Sequence, residues 1–267
     1  WRTYWKGWLE LRPGVWEAYR AELARDRAAV MTNGSLRRAY ETAANGATGI
    51  APFDAWMEEL RTRNWLHNHV RMWVASIWIF TLRLPWTLGA ELFLHHLLDG
   101  DAASNTLSWR WVAGMQTPGK HYLARAENIR RHTAGRFDPV GELDEEATAL
   151  PAPPPVPIRT LPPADALPDG PVALLLHDDD LHPESLLPPG TRVSAVAGFA
   201  VPEGRAATGC APAVAAHAHA ALHDALGRAS RHFGVTGEAL PAAGIAAWAA
   251  RHGLPVVTPY APVGWAC

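Results

Sequence analysis

The sequence predicts an all-α domain over residues 1–140, a proline-rich linker over 141–170, and a small, truncated α/β domain of Rossmann-like type over 171–267. Three observations divide it this way. Eleven of the 13 tryptophans precede residue 112, whereas 18 of the 23 prolines follow residue 140. Nine of the 21 residues from Pro151 to Pro171 are proline, which predicts an extended, semi-rigid connection. Charge changes sign at the same place: residues 1–140 hold 18 Lys and Arg against 13 Asp and Glu, and the remainder holds 6 against 13.

The first domain reads as helices throughout. Apolar residues recur at three- and four-residue steps from Trp1 to Leu23, broken at Pro13-Gly14. Asn45-Gly46 and Thr48-Gly49 mark a turn, and Asp54 is placed to N-cap a helix running to Asn64. A long helix is expected from Leu66 to Leu82, halted by Pro85, and another from Thr87 to Leu98 with Gly100 close after its end. No stretch here alternates as a strand does. Beyond the linker, Val172–Leu176 and Val193–Ala200 are short apolar runs bounded by turn signals and read as strands. Ala213–Phe233 and Ile245–His252 read as helices and Pro255–Thr258 as a further strand, which together predict a small α/β sheet. No glycine-rich phosphate loop follows a strand, so the dinucleotide fingerprint is absent.

Composition narrows the classes. Hydrophobic residues make up 48% and charged residues 19%, as a packed core requires. Two cysteines, Cys210 and Cys267, exclude a disulfide framework and a cysteine metal cluster, and they fit a reducing cytoplasm. The apolar run Trp73–Leu82 is too short to span a bilayer and lies between Arg71 and Arg83, so no membrane partner is expected. No signal peptide is visible, and the chain reads as a piece of a longer protein. Sixteen of the 18 bases before residue 141 are arginine, which permits phosphate contact. The run His177-Asp178-Asp179-Asp180-Leu181-His182 reads as a solvated acidic loop, because adjacent residues converge poorly on one ion. His219 and His223 are one helical i,i+4 pair beside His217, too few to make a metal site, so no metal is expected.

One ordered series is far more specific. It runs Gly46-Ala47-Thr48-Gly49, Asp54-Ala55, Trp65-Leu66-His67-Asn68-His69-Val70-Arg71-Met72 and Trp86. It continues with Asp99-Gly100-Asp101-Ala102-Ala103-Ser104-Asn105 and ends at Trp109-Arg110-Trp111. This series resembles the signature of the flavin domain of the photolyase/cryptochrome family, in order and at close to family spacing. Upstream, Trp1-Arg2 resembles that family's W-R-E-F element. The resemblance implies FAD as cofactor, damaged DNA as partner, and a monomer.

It also implies roles. Arg2, Asn68, Arg71, Asp99, Gly100, Asp101 and Asn105 would form the flavin site, with Arg71 pairing to Asp99 and Asn105 beside the flavin N5. Trp109 and Trp86 would be the inner two members of a three-tryptophan electron relay. His67 would supply a proton near the lesion, as would His69. Trp1, Arg2, Asn68 and His69 would face DNA. The implied activity is light-driven repair of a pyrimidine photoproduct. The alternatives are a cryptochrome-like photosensor that binds FAD without repair, and a flavin-domain remnant serving as a binding module. Several departures accompany the match. Residues 20–45 contain no tryptophan and Ala43 stands where the family often has one, leaving Tyr40, Trp78 or Trp73 for the outer relay position. His69 replaces an arginine of many dimer-repairing members, and His67-Asn68 replaces the paired histidines of (6-4)-repairing ones. Lys120-His121-Tyr122 and Glu127-Asn128-Ile129 replace a Tyr-Phe-Arg-x-Phe-Asn-Pro run, with only Asn128 matching. The phosphate-binding Thr-Ser-x-Leu-Ser loop of the family would lie upstream of Trp1. The α/β segment bears a faint architectural likeness to the family's antenna domain, which precedes the flavin domain there.

Overall fold

Ten helices and four strands build two compact units in a computed structural model that describes residues 2–161 and 163–265. The first unit takes in residues up to Arg159 together with Ala206–Thr208, and the second takes in Thr160–Arg205 and residues from Gly209 onward. Residues 147–161 carry no helix or strand. No helix among the described residues is long and apolar enough to cross a membrane.

In the first unit, α1 (Arg2–Glu10) ends before Pro13, and α2 (Gly14–Thr32) runs well past Leu23. α3 (Gly34–Ala44) follows at once, because Asn33 ends one helix and begins the next. Its backbone N–H closes α2 on Ala29 O, while its Oδ1 accepts from Ser35 N at 3.0 Å and Leu36 N at 3.1 Å. α4 (Ala51–Arg63) departs from the sequence expectation. Ile50 stands at its N-cap, and Asp54 lies in the first turn. The Asp54 carboxylate instead accepts from Thr48 N, Thr48 Oγ1 and Gly49 N at 2.7–2.9 Å, so it clasps the preceding loop. Pro52 in that first turn has no N–H to satisfy, which reduces the need for a side-chain cap.

The single helix expected from Leu66 to Leu82 is two pieces. α5 (Asn68–Ser76) passes into a π-helical turn, Ile77–Thr81. α6 (Trp86–His96) and α7 (Ala102–Ala113) complete the core, and α8 (Ala126–His132) lies beyond them. Trp78, Trp109, Phe53, Met57, Leu60 and Leu94 are buried at 2% exposure or less. Each such side chain contributes about 1.5–3 kcal/mol by leaving water.

The second unit is a four-stranded parallel sheet in the order β3-β2-β1-β4. β1 (Val172–His177) is buried along its whole length, which explains why it reads as a continuous apolar run. Its alternate residues serve opposite faces. Leu174 and Leu176 pack with Leu222 and Leu226 of α9 (Pro212–Phe233), while Ala173 and Leu175 pack with Trp248 of α10 (Ile245–His252). β2 (Val193–Phe199) pairs beside β1; at Gly198 a side-chain carbon would meet Leu222 Cδ1 at 2.7 Å. β3 (Gly237–Ala239) was not expected, since three residues carry no alternation to read. β4 (Val256–Val257) is shorter than the strand expected over Pro255–Thr258.

The acidic run after β1 also departs from expectation. His177 is buried, with Nε2 3.1 Å from Pro259 O and Nδ1 accepting from Asp179 N. The Asp178 side chain is 3% exposed and pairs with Arg205 at 3.5 Å, and burial raises its carboxyl pKa. Only the far end behaves as a surface turn, where exposed His182 meets Ser185 Oγ. A short strand buried on both faces carries its first following residues inward with it. His217, His219 and His223 are exposed on α9, and the described residues hold no group of three metal-type ligands.

Candidate functional site

Three stretches distant in sequence, residues 2–8, 68–75 and 93–117, meet around a cavity of about 840 Å³ in the first unit. α1 contributes Arg2, Trp5 and Trp8, α5 contributes Asn68, Arg71 and Met72, the loop before α7 contributes Asp99, Gly100 and Asp101, and α7 contributes Ser104, Asn105 and Trp109. The size is within the range of cofactor pockets, roughly 300–1,000 Å³.

Two aspartates organise the polar wall. Asp99 is held from two sides: Arg71 Nη2 donates to Oδ1 at 3.0 Å and Oδ2 at 3.2 Å, while Arg2 Nη2 donates to the Asp99 carbonyl at 2.8 Å and lies 3.1 Å from Oδ2. Arg71 is itself fixed by Nε donating to Leu66 O at 2.8 Å. Asp101 caps α7, its Oδ1 accepting from Ser104 N at 2.7 Å, and its Oδ2 pairs with Lys6 at 3.0 Å. Gly100 sits between them, close under Leu97 O.

The inner wall is apolar with isolated polar atoms. Asn105 is buried, and one amide N–H donates to Ala90 O at 2.8 Å, which fixes the plane of the side chain. Trp109 packs against Phe93 and Trp78, and it seats over Gly89, where a side-chain carbon would come within 2.3 Å of the indole. Ser104 Oγ, Trp109 Nε1 and Gln116 Oε1 belong to residues of this wall and are buried without a hydrogen-bond partner. Buried polar atoms left unsatisfied are costly, and these three belong to residues of one cavity wall.

Other residues singled out in the sequence lie elsewhere. Trp86 is buried on α6 and does not line the cavity; its indole N–H donates to Glu22 Oε1 at 3.0 Å, and its ring meets Tyr19 at 5.5 Å. Burial raises the Glu22 pKa, with the Trp86 hydrogen bond opposing it. His67 also stands off the cavity wall. It caps α5, Nδ1 accepting from His69 N at 3.2 Å, because a helix start needs acceptors for its open N–H groups. His69 stacks on Trp73 at 4.9 Å and 10°, and burial lowers its pKa, helped by His132. Asn128 accepts from Trp73 Nε1 at 3.2 Å. Trp1 lies outside the described residues. Sequence reasoning missed Lys6, Ser104 and Gln116. Lys6 was legible in one respect, since it stands one helical turn after Arg2.

Comparisons with known proteins fall on the same unit of the chain. Residues 1–144 match the family model described as the FAD binding domain of DNA photolyase. The chain is 35% identical over 143 residues to the deoxyribodipyrimidine photo-lyase of Streptomyces griseus, covering 49% of this chain and 30% of that protein. It is 38% identical over 97 residues to cryptochrome-2 of Arabidopsis thaliana, covering 36% and 16% respectively. With the Escherichia coli photo-lyase the identity is 31% over 124 residues, covering 46% and 25%. The chain thus spans less than a third of the length of these relatives.

Proposed function

The chain belongs to the DNA photolyase and cryptochrome family through residues 1–144, and on that premise we propose that it serves light-driven repair of pyrimidine photoproducts in DNA, as a photolyase-like lyase. Its cofactor is FAD. When bound, reduced FAD excited by light supplies the electron that cleaves the photoproduct, the electron returning afterwards. The observation that carries this reading is the cavity itself, whose wall gathers Arg71, Asp99, Asp101, Asn105 and Trp109 and leaves three buried polar atoms without partners.

The residues divide the work. Arg71, fixed on Asp99, is a cation at the cavity wall and favours an anionic flavin ring. Asn105 retains capacity both to donate and to accept, as a group facing a nitrogen that changes protonation must. Asp101 and Ser104 offer polar contacts at the start of α7. Trp109, on the wall, and Trp86, paired with the Glu22 carboxylate, relay electrons. Arg2, Asn68 and His69 face the DNA, with Trp1 stacking on the extruded lesion, where aromatic stacking returns on the order of 1–3 kcal/mol. The excess of arginine before residue 141 supports a polyanionic partner. We take the protein to act as a cytoplasmic monomer.

A second reading, a cryptochrome-like photosensor, is favoured by one feature. His69 is stacked on Trp73 where many dimer-repairing members carry an arginine. Illumination of the FAD-loaded protein with an oligonucleotide holding a pyrimidine dimer or a (6-4) product separates the two. Restored bases support repair. Flavin photoreduction without turnover of either lesion supports the sensor, and purification without FAD under reconstituting conditions overturns both.

A further inference from the structure

A line of rings leads from the cavity wall to the surface without passing through Trp86. Trp109 on the wall meets Trp78 edge-on, with centroids 6.4 Å apart and planes at 90°. Trp78 meets Tyr40 edge-on at 6.0 Å and 83°. Trp78 is completely buried, and its indole N–H is tied to Pro85 O at 2.9 Å. Tyr40, on α3, is half-buried. The π turn Ile77–Thr81 contains Trp78, and such turns inside helices occur often at functional sites. Trp73, the third residue open for the outer relay position, belongs to a different group, stacked with Trp56 and His69.

We propose that Trp109, Trp78 and Tyr40 form a second electron route to the flavin, ending on Tyr40. This rests on the flavin photochemistry proposed above. Trp109 loses one electron to light-excited, oxidised FAD; Trp78 then refills Trp109, and Tyr40 refills Trp78. Tyr40 releases its phenolic proton to water and remains as a neutral tyrosyl radical, so one electron reaches the flavin and only an O–H bond breaks. An oxidised phenol is strongly acidic, and loss of its proton pins the vacancy at the surface end of the series. Tyrosine therefore does here what the absent tryptophan of residues 20–45 would do.

The test is blue-light illumination of the FAD-loaded protein, followed by electron paramagnetic resonance of the amino-acid radical and by FAD content per chain. The unsubstituted protein is expected to give a tyrosyl signal. Tyr40→Phe is expected to lose that signal at unchanged FAD content, Trp78→Phe to lose it as well, and Trp86→Phe to keep it. Should Trp78→Phe fail to fold, Tyr40→Phe decides alone, since it removes one hydroxyl from a half-buried ring. A tyrosyl signal that survives Tyr40→Phe overturns the route, as does a purely tryptophanyl signal in the unsubstituted protein. A signal lost in Trp86→Phe but kept in Trp78→Phe overturns it too. Absence of any photoreduction in the unsubstituted, FAD-loaded protein overturns the photochemical reading itself, and the route with it.

Discussion

Asp99 and Asp178 each sit beside an arginine, but the two pairs differ in what surrounds them. Asp99 is 37% exposed, at a cavity wall, and shares its charge between Arg71 and Arg2, which come from separate helices. Asp178 is 3% exposed, and Arg205 beside it is 8% exposed. At the first, Arg2 and Arg71 reach Asp99 from 97 and 28 residues away along the chain, and the cluster still opens onto a space that a ligand could fill. The second follows directly on a buried strand and is enclosed by its own unit. Proximity in sequence made the acidic run around Asp178 look like a cluster, while the residues that do converge on a cavity are far apart along the chain. Convergence from separated elements, more than local density of charge, marks the site.

Substitutions can test that contrast, and the largest effect belongs to the cavity wall. Trp109→Phe is expected to abolish flavin photoreduction while FAD stays bound, read from the flavin absorbance under illumination. Next comes Asp178→Ala, which leaves Arg205 buried without its carboxylate and should cost about 3–5 kcal/mol in denaturant unfolding of the second unit. FAD content should be unchanged, and a parallel loss of FAD would mean that the two pairs are not independent. Gly89→Ala pushes a methyl group into the Trp109 indole and should destabilise the first unit by about 1–3 kcal/mol, seen as a lower Tm. The smallest effect is expected at Asp101→Ala, where loss of the α7 cap costs about 1 kcal/mol of stability. Weaker FAD retention in that variant, at a temperature where the fold is intact, would show that Asp101 serves the ligand as well as the helix.

Much of this was legible in the sequence, and the failures have identifiable causes. Asn68, Arg71 and Asp99–Asp101 could be named because the ordered series that carries them resembles the family's flavin-domain signature. Gln116 could not, since its approach to the wall depends on how the segment after α7 packs. Asp54 reads as a cap because aspartate before an apolar run usually is one; the loop N–H groups of Thr48 and Gly49 compete for the same carboxylate and hold it. Asn33 gives no boundary signal in the sequence, because a residue that ends one helix and starts another leaves no gap between them. Tyr40 and Trp78 stood as unranked alternatives with Trp73, and only the ring contacts separate them. In the second unit, β3 was invisible because it is a strand by pairing with β2 alone.

The π turn at Ile77–Thr81 has a consequence for how this helix can vary. One residue added to an α-helix whose two ends are already anchored has nowhere to go except into a wider turn. The flanking positions then keep their partners, and the whole adjustment is absorbed within five residues. A protein lacking that residue would run straight through on the ordinary repeat, and the position of Trp78 would rotate by about a third of a turn.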